Sequence, residues 1–265
     1  MLKISFFLGL VAAPVAAHEL WIEPLKYELE AETKLTAHIV NGQDFAGVQL
    51  PFVPRRFVHF VVLSGDKFQK VTSRIGDSPA LNQSPVAKGL NIVAYQAHSQ
   101  TVGYENWEKF QKFLDHKDLG DQLDNHESRG FPLEDFKEVY SRYSKSLVAV
   151  GDGAGSDKQI GLETEIVALT NPYTEDLSSG MKVQLYYRKD VRADAQIEVF
   201  EKALDDSVNI FLVRTDADGI ATVPVKAGHD YMLDAVVLRE PAEQLAADTG
   251  AAWETLWANM TFMAP

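Results

Sequence analysis

Alternating apolar and polar residues predict short β-strands over residues 18–100 and again after residue 162. Leu35, Ala37 and Ile39 share one side of a strand, and residues 57–63 are apolar on both sides, which is typical of a central strand. The other predicted strands are residues 68–73, 91–98, 163–169, 182–188, 196–200, 208–215, 220–225, 231–239 and 257–263. Short strands separated by turn residues favour antiparallel packing over β-α-β units.

The apolar spacing changes to a helical one after Gly103. Trp107, Phe110 and Leu114 recur every three or four residues, which predicts a short helix. A polar, acidic stretch over residues 115–130 follows and predicts a loop or a poorly packed helix. Its His116 and His126 are expected to be solvated, with a shared metal site as the alternative. A second helix is predicted to begin at residues 131–132, with Pro132 at its first position. The apolar face of this second helix comprises Phe136, Val139, Tyr140 and Tyr143.

The glycine-rich residues 151–156 predict a linker, since neither the Lys-Ser/Thr end of a phosphate-binding loop nor a helix follows them. Residues 216–219 resemble the start of a calcium loop, but the rest of that motif is missing and a hairpin turn explains them. The fold class is therefore mainly β, with two antiparallel β-sandwich units and a helical insertion between them. The expected parts are residues 18–103, a β domain; 104–150, the insertion; and 151–265, the second sandwich.

Residues 1–17 have the pattern of a cleaved signal peptide: a single Lys3, an apolar run, and small residues that end at Ala17. Cleavage after Ala17 leaves His18 as the first residue, and the protein is expected in the periplasm. The α-amine and imidazole of an N-terminal histidine can chelate one metal ion together. A histidine that follows the cleavage site by chance is the alternative.

The composition limits the classes of partner. The formal net charge of −13 becomes −14 when Lys3 is removed, so the chain repels nucleic acid. It has no cysteine, which excludes disulfides, thiolate metal sites and a cysteine nucleophile. No second apolar run is long enough to span a bilayer, so the mature protein is not expected to be membrane-spanning. No spacing supports hydrolase chemistry, and we do not predict an enzyme.

Two internal histidines are further candidate metal ligands. His59 shares the predicted side of Phe57 and Val61, where a hydrogen-bonded core histidine is the first interpretation and a ligand the second. His98 ends a predicted strand, close to the loops where β-sandwiches place their sites. His38 and His229 are fallback candidates.

The ordered motifs of the chain resemble a NikM-like periplasmic family of unknown function, grouped with nickel and cobalt uptake components. The matching segments are residues 18–24, 140–147, 162–167, 171–173, 215–219 and 253–262. The resemblance implies an exported β-sandwich, immunoglobulin-like or transthyretin-like in its second half, that handles a transition metal. It carries over only His18 as a ligand, and it implies a membrane transport component as a partner.

Three functions are ranked on this basis. The first is binding or delivery of a divalent transition metal (Ni, Co, Cu or Zn), for which affinity order alone favours copper. The second is a metal-free interaction module, with Trp21, Trp107, Trp253 and Trp257 as an aromatic platform. The third is a copper oxygenase that uses His18 and one more histidine.

Overall fold

The computed structural model describes residues 18–265, so the predicted signal peptide, residues 1–17, lies outside the described residues. Within residues 18–265 the chain forms eighteen strands and three α-helices, which confirms the mainly β fold class. The strands are β1 Glu19–Pro24, β2 Glu28–Leu29, β3 Leu35–Gln43, β4 Ala46–Leu50, β5 Phe57–Ser64, β6 Lys67–Lys70, β7 Leu81–Gln83, β8 Gly89–Ala97, β9 Gln100–Asn106, β10 Glu134–Val150, β11 Thr164–Ala168, β12 Met181–Tyr187, β13 Asp190–Val191, β14 Gln196–Lys202, β15 Val208–Arg214, β16 Ile220–Val223, β17 Asp230–Arg239 and β18 Ala251–Met263. The helices are α1 Trp107–His116, α2 Leu123–Ser128 and α3 Glu243–Thr249.

A ten-stranded sheet runs through the whole molecule. Its order is β15-β14-β17-β18-β10-β8-β5-β6, and β2 and β9 also pair with β10. Most pairs are antiparallel, as predicted, but β10 runs parallel to β18 and to β2. All three predicted ranges, 18–103, 104–150 and 151–265, contribute strands to this sheet, and their independence as domains stays a prediction.

Two smaller sheets cover opposite faces of the central sheet. Val148 and Val150 of β10 pack against β1 and β3, which belong to a four-stranded sheet with β4 and β7. Leu147 of β10 packs against the second small sheet, formed by β11, β12, β13 and β16. Because successive side chains of a strand point to opposite faces, the two small sheets lie on opposite sides. The sandwich packing is thus built twice on one shared sheet.

The second predicted helix is wrong, because residues 134–150 form strand β10. Its apolar residues divide between two faces: Phe136 packs with the α1 cluster, and Tyr143 packs with Leu162 and Leu256. Because β10 is buried on both faces, apolar residues occur on both of its sides, and some of them happen to fall at helical spacing. The first predicted helix is confirmed as α1, which Asn106 caps by accepting a 3.0 Å hydrogen bond from the Lys109 amide.

Two predicted connections also differ from expectation. The amide of Asn171 donates to the carbonyls of Gly153 and Gly155, both at 2.9 Å, so residues 151–156 are held against the fold. Residues 216–219 form a turn, since the Asp216 carboxylate accepts from the amides of Asp218 and Ile220. That turn joins strands of two different sheets, β15 and β16, and is not a β-hairpin. No helix within residues 18–265 is long and apolar enough to cross a membrane.

Candidate functional site

Strand β1 carries the residue after His18 onto the central sheet. It is an edge strand that pairs with β3 alone, so its other edge needs hydrogen-bond partners. Buried hydroxyls supply them: Ser144 Oγ donates to the Leu20 carbonyl at 2.6 Å, and Thr261 Oγ1 donates to the Ile22 carbonyl at 2.7 Å. The start of β1, at Glu19, is thereby fixed above β10 and β18.

A row of polar side chains crosses the same face of the central sheet. In register, Glu198 of β14 lies opposite Asp234 of β17, Asp234 lies opposite Asn259 of β18, and Asn259 lies opposite Ser144 of β10. Directly opposed residues share a face, so these four side chains point to the side where β1 lies. All four are buried.

Three carboxylates converge where this row meets β1. One ligand oxygen from each of Glu19, Glu198 and Asp234 lies within 4.8 Å of the others, and we call this set the acidic triad. Lys117, the first residue after α1, places its ammonium among them, at 2.6 Å from Glu198 Oε2, 3.1 Å from Asp234 Oδ2 and 3.3 Å from Glu19 Oε1. The Trp257 ring lies under the ammonium, 4.9 Å from it to the ring centroid.

His116 connects the acidic triad to solvent. Its Nε2 lies 3.0 Å from Glu198 Oε1, and its side chain is 58% exposed. The hydrogen bond to Glu198 is the main cause that raises the pKa of His116. Protonated His116 therefore adds a second positive charge at the mouth of the site.

The pKa values of the three carboxylates in the triad shift in different directions. It raises the pKa of Asp234 to about 6 and also raises the pKa of Glu19, although Lys117 opposes both shifts. Burial acts upward on Glu198 too, but His116 and Lys117 outweigh it and lower the pKa. Burial alone lowers the pKa of Lys117, and the three carboxylates reverse this to a net rise. Lys117 is therefore charged in the folded protein.

The acidic triad has spare acceptor capacity. Glu19 Oε2 and Asp234 Oδ1 are buried and have no hydrogen-bond partner within residues 18–265. The polar network around Lys145, on the opposite face, makes the contrast clear. Lys145 donates to Asp157 and to Glu165, and Glu165 also accepts from the amides of residues 160–162. The carboxylate oxygens of the Lys145 network all have hydrogen-bond partners, whereas the triad leaves two carboxylate oxygens without one in the described part of the chain.

The predicted ligands lie apart. His18 is half-buried and precedes Glu19, so it adjoins the acidic triad. His59 and His98 are exposed, which overturns the expectation of a core histidine at 59. A bulge between residues 57 and 59 reverses the strand alternation and places His59 opposite Gln96. Because the neighbouring Tyr95 packs on the side of β1, His59 points to the other face.

The remaining histidines have other partners. His229 Nδ1 lies 2.8 Å from Glu201, and His38 is half-buried on β3. His126, predicted to be solvated, is fully buried: Nδ1 accepts from Trp253 Nε1 at 2.9 Å, and Nε2 lies 2.9 Å from the Pro132 carbonyl. Both ring nitrogens of His126 are thus used within the fold.

The aromatic platform does not form. Trp21, Trp253 and Trp257 are 0–2% exposed, and Trp107 is half-buried. Sequence reasoning also missed Lys117, Glu198 and Asp234, which lie far apart along the chain. The only local signal was a carboxylate with an apolar residue on each side: Glu198 between Ile197 and Val199, and Asp234 between Leu233 and Ala235.

Comparison with known proteins identifies a family without an assigned function. The family model described as domain of unknown function DUF4198 matches residues 15–239. The chain belongs to this family. The DUF4198 match includes the whole acidic triad and Lys117 but ends before Asn259. The chain matches no curated protein.

One solved structure that resembles the chain is described as the crystal structure of a tetra-tandem repeat in the extending region of a large adhesion protein. It is 11% identical over 94% of this chain and 50% of that chain, with a TM-score of 0.21. The DUF4198 chain thus spans about half the length of that structure. A likeness this low carries no argument about fold or function.

Proposed function

We propose that this protein binds a divalent transition-metal ion in the periplasm through His18 and the acidic triad. The carrying observation is that Glu19, the residue directly after His18, belongs to a buried triad with Glu198 and Asp234. After cleavage behind Ala17, the α-amine and imidazole of His18 would lie beside these carboxylates. His116 is a further nitrogen donor next to Glu198.

The residues fit a metal ion on chemical grounds. The two buried oxygens without partners, Glu19 Oε2 and Asp234 Oδ1, are acceptors that a cation satisfies. An amine and imidazole combined with carboxylates suit nickel, cobalt, zinc and copper, and copper stands highest in affinity order. Bound metal would supply charge neutralisation at the triad.

The biological role that we propose is metal handling in uptake. The NikM-like resemblance supports nickel or cobalt as the metal and a membrane transport component as the partner. The match to a family of unknown function is compatible with this role and adds no substrate to it.

A metal-free interaction module is the second candidate. The observation that favours it is Lys117, whose ammonium already neutralises part of the triad charge. In that case the acidic triad and Lys117 serve only to join α1 to the sheet.

A titration with Ni, Co, Cu and Zn distinguishes the two candidate functions, metal binding and a metal-free interaction module. We compare protein that begins at His18, the same protein with one extra N-terminal residue, and the variants His18→Ala and Glu198→Gln. Glu201→Gln is the matched control, because Glu201 is a buried carboxylate on the same strand but on its other face. Calorimetry measures affinity, and electron paramagnetic resonance reports copper coordination.

We expect strong binding only when His18 is the free N-terminus, since an extra residue converts the amine to an amide. Glu198→Gln should weaken binding, and Glu201→Gln should not. Equal binding by all three N-terminal forms would exclude His18 as the anchor. The absence of binding in every form would support the interaction module.

A further inference from the structure

Arg142 is a buried guanidinium without an anionic partner. It is 6% exposed, and among residues 18–265 no carboxylate forms an ion pair with it. Its guanidinium stacks on the Tyr140 ring, 4.4 Å from guanidinium carbon to ring centroid, and its buried Nε has no acceptor within the described chain. Buried arginines are rarely left unpaired, because the charge and its donors lose water.

Two other arginines with little solvent exposure have hydrogen-bond acceptors that Arg142 lacks. Arg239 forms a bidentate pair with Glu254 and also reaches Glu163. Arg192 donates from Nη2 to the Val236 carbonyl at 2.9 Å, although its buried Nη1 has no partner within residues 18–265. Within residues 18–265 no carboxylate or backbone carbonyl accepts a hydrogen bond from Arg142, so its buried Nε, one of the donors with which a guanidinium binds a carboxylate, is unused.

Asn259 lies next to Arg142 on the same face. Arg142 is opposite Trp257 and Ser144 is opposite Asn259, so Arg142 and Asn259 are diagonal neighbours on adjacent strands. Asn259 is 3% exposed, and neither Nδ2 nor Oδ1 has a partner within residues 18–265. Asn259 also lies directly opposite Asp234 of the acidic triad.

Unused donors and unused acceptors therefore adjoin each other. The donors are Arg142 Nε and Asn259 Nδ2, and the acceptors are Glu19 Oε2, Asp234 Oδ1 and Asn259 Oδ1. Glu19 and Asp234 act on the pKa of Arg142 through their charges, so the guanidinium lies within electrostatic range of them. A cation alone satisfies only the acceptors, and an anion alone satisfies only the donors and is repelled by three carboxylates.

We propose that Arg142 and Asn259 bind the carboxylate group of a small organic ligand that accompanies the metal ion at the acidic triad. This inference rests on the proposed function. The ligand class is a small carboxylate, bound by the guanidinium fork and the amide N–H, with its charge balanced by the metal. By linkage, each of the two should strengthen the binding of the other.

The test measures this coupling with nickel and acetate. Nickel affinity is determined by calorimetry with and without acetate, with ionic strength held constant by chloride and with correction for nickel–acetate association in solution. Wild type should bind nickel at least about fivefold more tightly with acetate, the lower end of usual coupling. Arg142→Gln and Asn259→Leu should lose this gain but still bind nickel alone. Arg192→Gln, the control, should keep it.

Folding of each variant is checked by circular dichroism, and Asn259→Leu decides the outcome if Arg142→Gln does not fold. Line broadening of carbon-13 acetate by bound cobalt gives an independent readout, expected in wild type and absent in Asn259→Leu. Nickel binding without any acetate effect would overturn the inference and leave the proposed function intact. An acetate effect in Arg142→Gln and Asn259→Leu as large as that in wild type would also overturn it. If wild type binds no metal, both proposals fail.

Discussion

Ser144 Oγ donates a 2.6 Å hydrogen bond to the backbone carbonyl of Leu20, and this bond connects the N-terminal strand to the centre of the molecule. Thr261 repeats the arrangement at Ile22. Serine and threonine in buried strands therefore complete the unpaired edge of β1. Since Glu19 precedes Leu20, the same bonds set the position of one member of the acidic triad.

Replacing Ser144 with alanine should leave the Leu20 carbonyl buried without a partner. We expect Ser144→Ala to lower the free energy of unfolding by about 1–3 kcal/mol, the cost of such a group. Urea denaturation followed by tryptophan fluorescence measures the loss. Ser128→Ala, at an exposed helix end, should change stability by less than about 0.5 kcal/mol. Equal losses in both variants would show that the Leu20 bond contributes nothing specific.

Lys117 and a metal ion would compete for the same three carboxylates. Lys117→Met removes the competing ammonium but leaves buried carboxylates unpaired, so the metal-free protein should lose about 3–5 kcal/mol of stability. Added nickel should restore its melting temperature, and nickel affinity should rise more than about tenfold, or ~1.4 kcal/mol. Calorimetry and differential scanning fluorimetry measure the two effects.

Lys145→Met is the matched control for that experiment. Lys145 is also buried and also pairs with two carboxylates, but its network has no unused oxygen within the described chain. It should be destabilised similarly and gain nothing from nickel. Weaker nickel binding by Lys117→Met would show that Lys117 organises the triad for the metal and does not compete with it.

Much of the fold was accessible from the sequence, because β3 shows its burial through local alternation, and β5 and β8 show theirs through runs of apolar residues. Strand β10 was not, since its polar residues find distant partners: Ser144 at the Leu20 carbonyl and Lys145 at Asp157. A buried polar residue of this kind looks exposed in any local pattern. His18 and Glu19 stood in the recognised motif, but the convergence of Glu198 and Asp234 depends on strand register, which local hydropathy does not contain.

Substitutions at Gly89 and Gly65 test the close approach of Ala154, in the segment after β10, to Gly89. Both have positive φ, +102° at Gly89 and +57° at Gly65. A Cβ at Gly89 would lie 2.3 Å from the Ala154 carbonyl oxygen, whereas a Cβ at Gly65 meets no atom within 4 Å. Gly65→Ala should therefore cost only about 1 kcal/mol from its backbone conformation, and Gly89→Ala distinctly more. Urea denaturation of both variants checks the order, and a reversed order would contradict the close approach.

Glu138 should make stability fall as the pH rises. Its carboxylate is buried beneath α1 and accepts hydrogen bonds from Thr255 Oγ1 and, at 2.7 Å, from Tyr104 OH. Burial raises its pKa from 4.5 to about 7, so the folded protein holds this proton more tightly than the unfolded chain does. The stability supplied by the bound proton is present below about pH 4.5 and is lost as the pH rises through about 7.

The free energy of unfolding that the Glu138 proton supplies is about 3 kcal/mol, since each pKa unit corresponds to ~1.4 kcal/mol. Because other groups titrate over the same range, the quantity to measure is the difference between wild type and Glu138→Gln, by urea denaturation at intervals from pH 4.5 to 8.5. Relative to wild type, the variant should gain stability progressively and level off above about pH 8. Glu134→Gln, an exposed position on the same strand, should show no such trend. A difference that stays constant with pH would mean that Glu138 is ionised throughout this range and is stabilised by Thr255 and Tyr104.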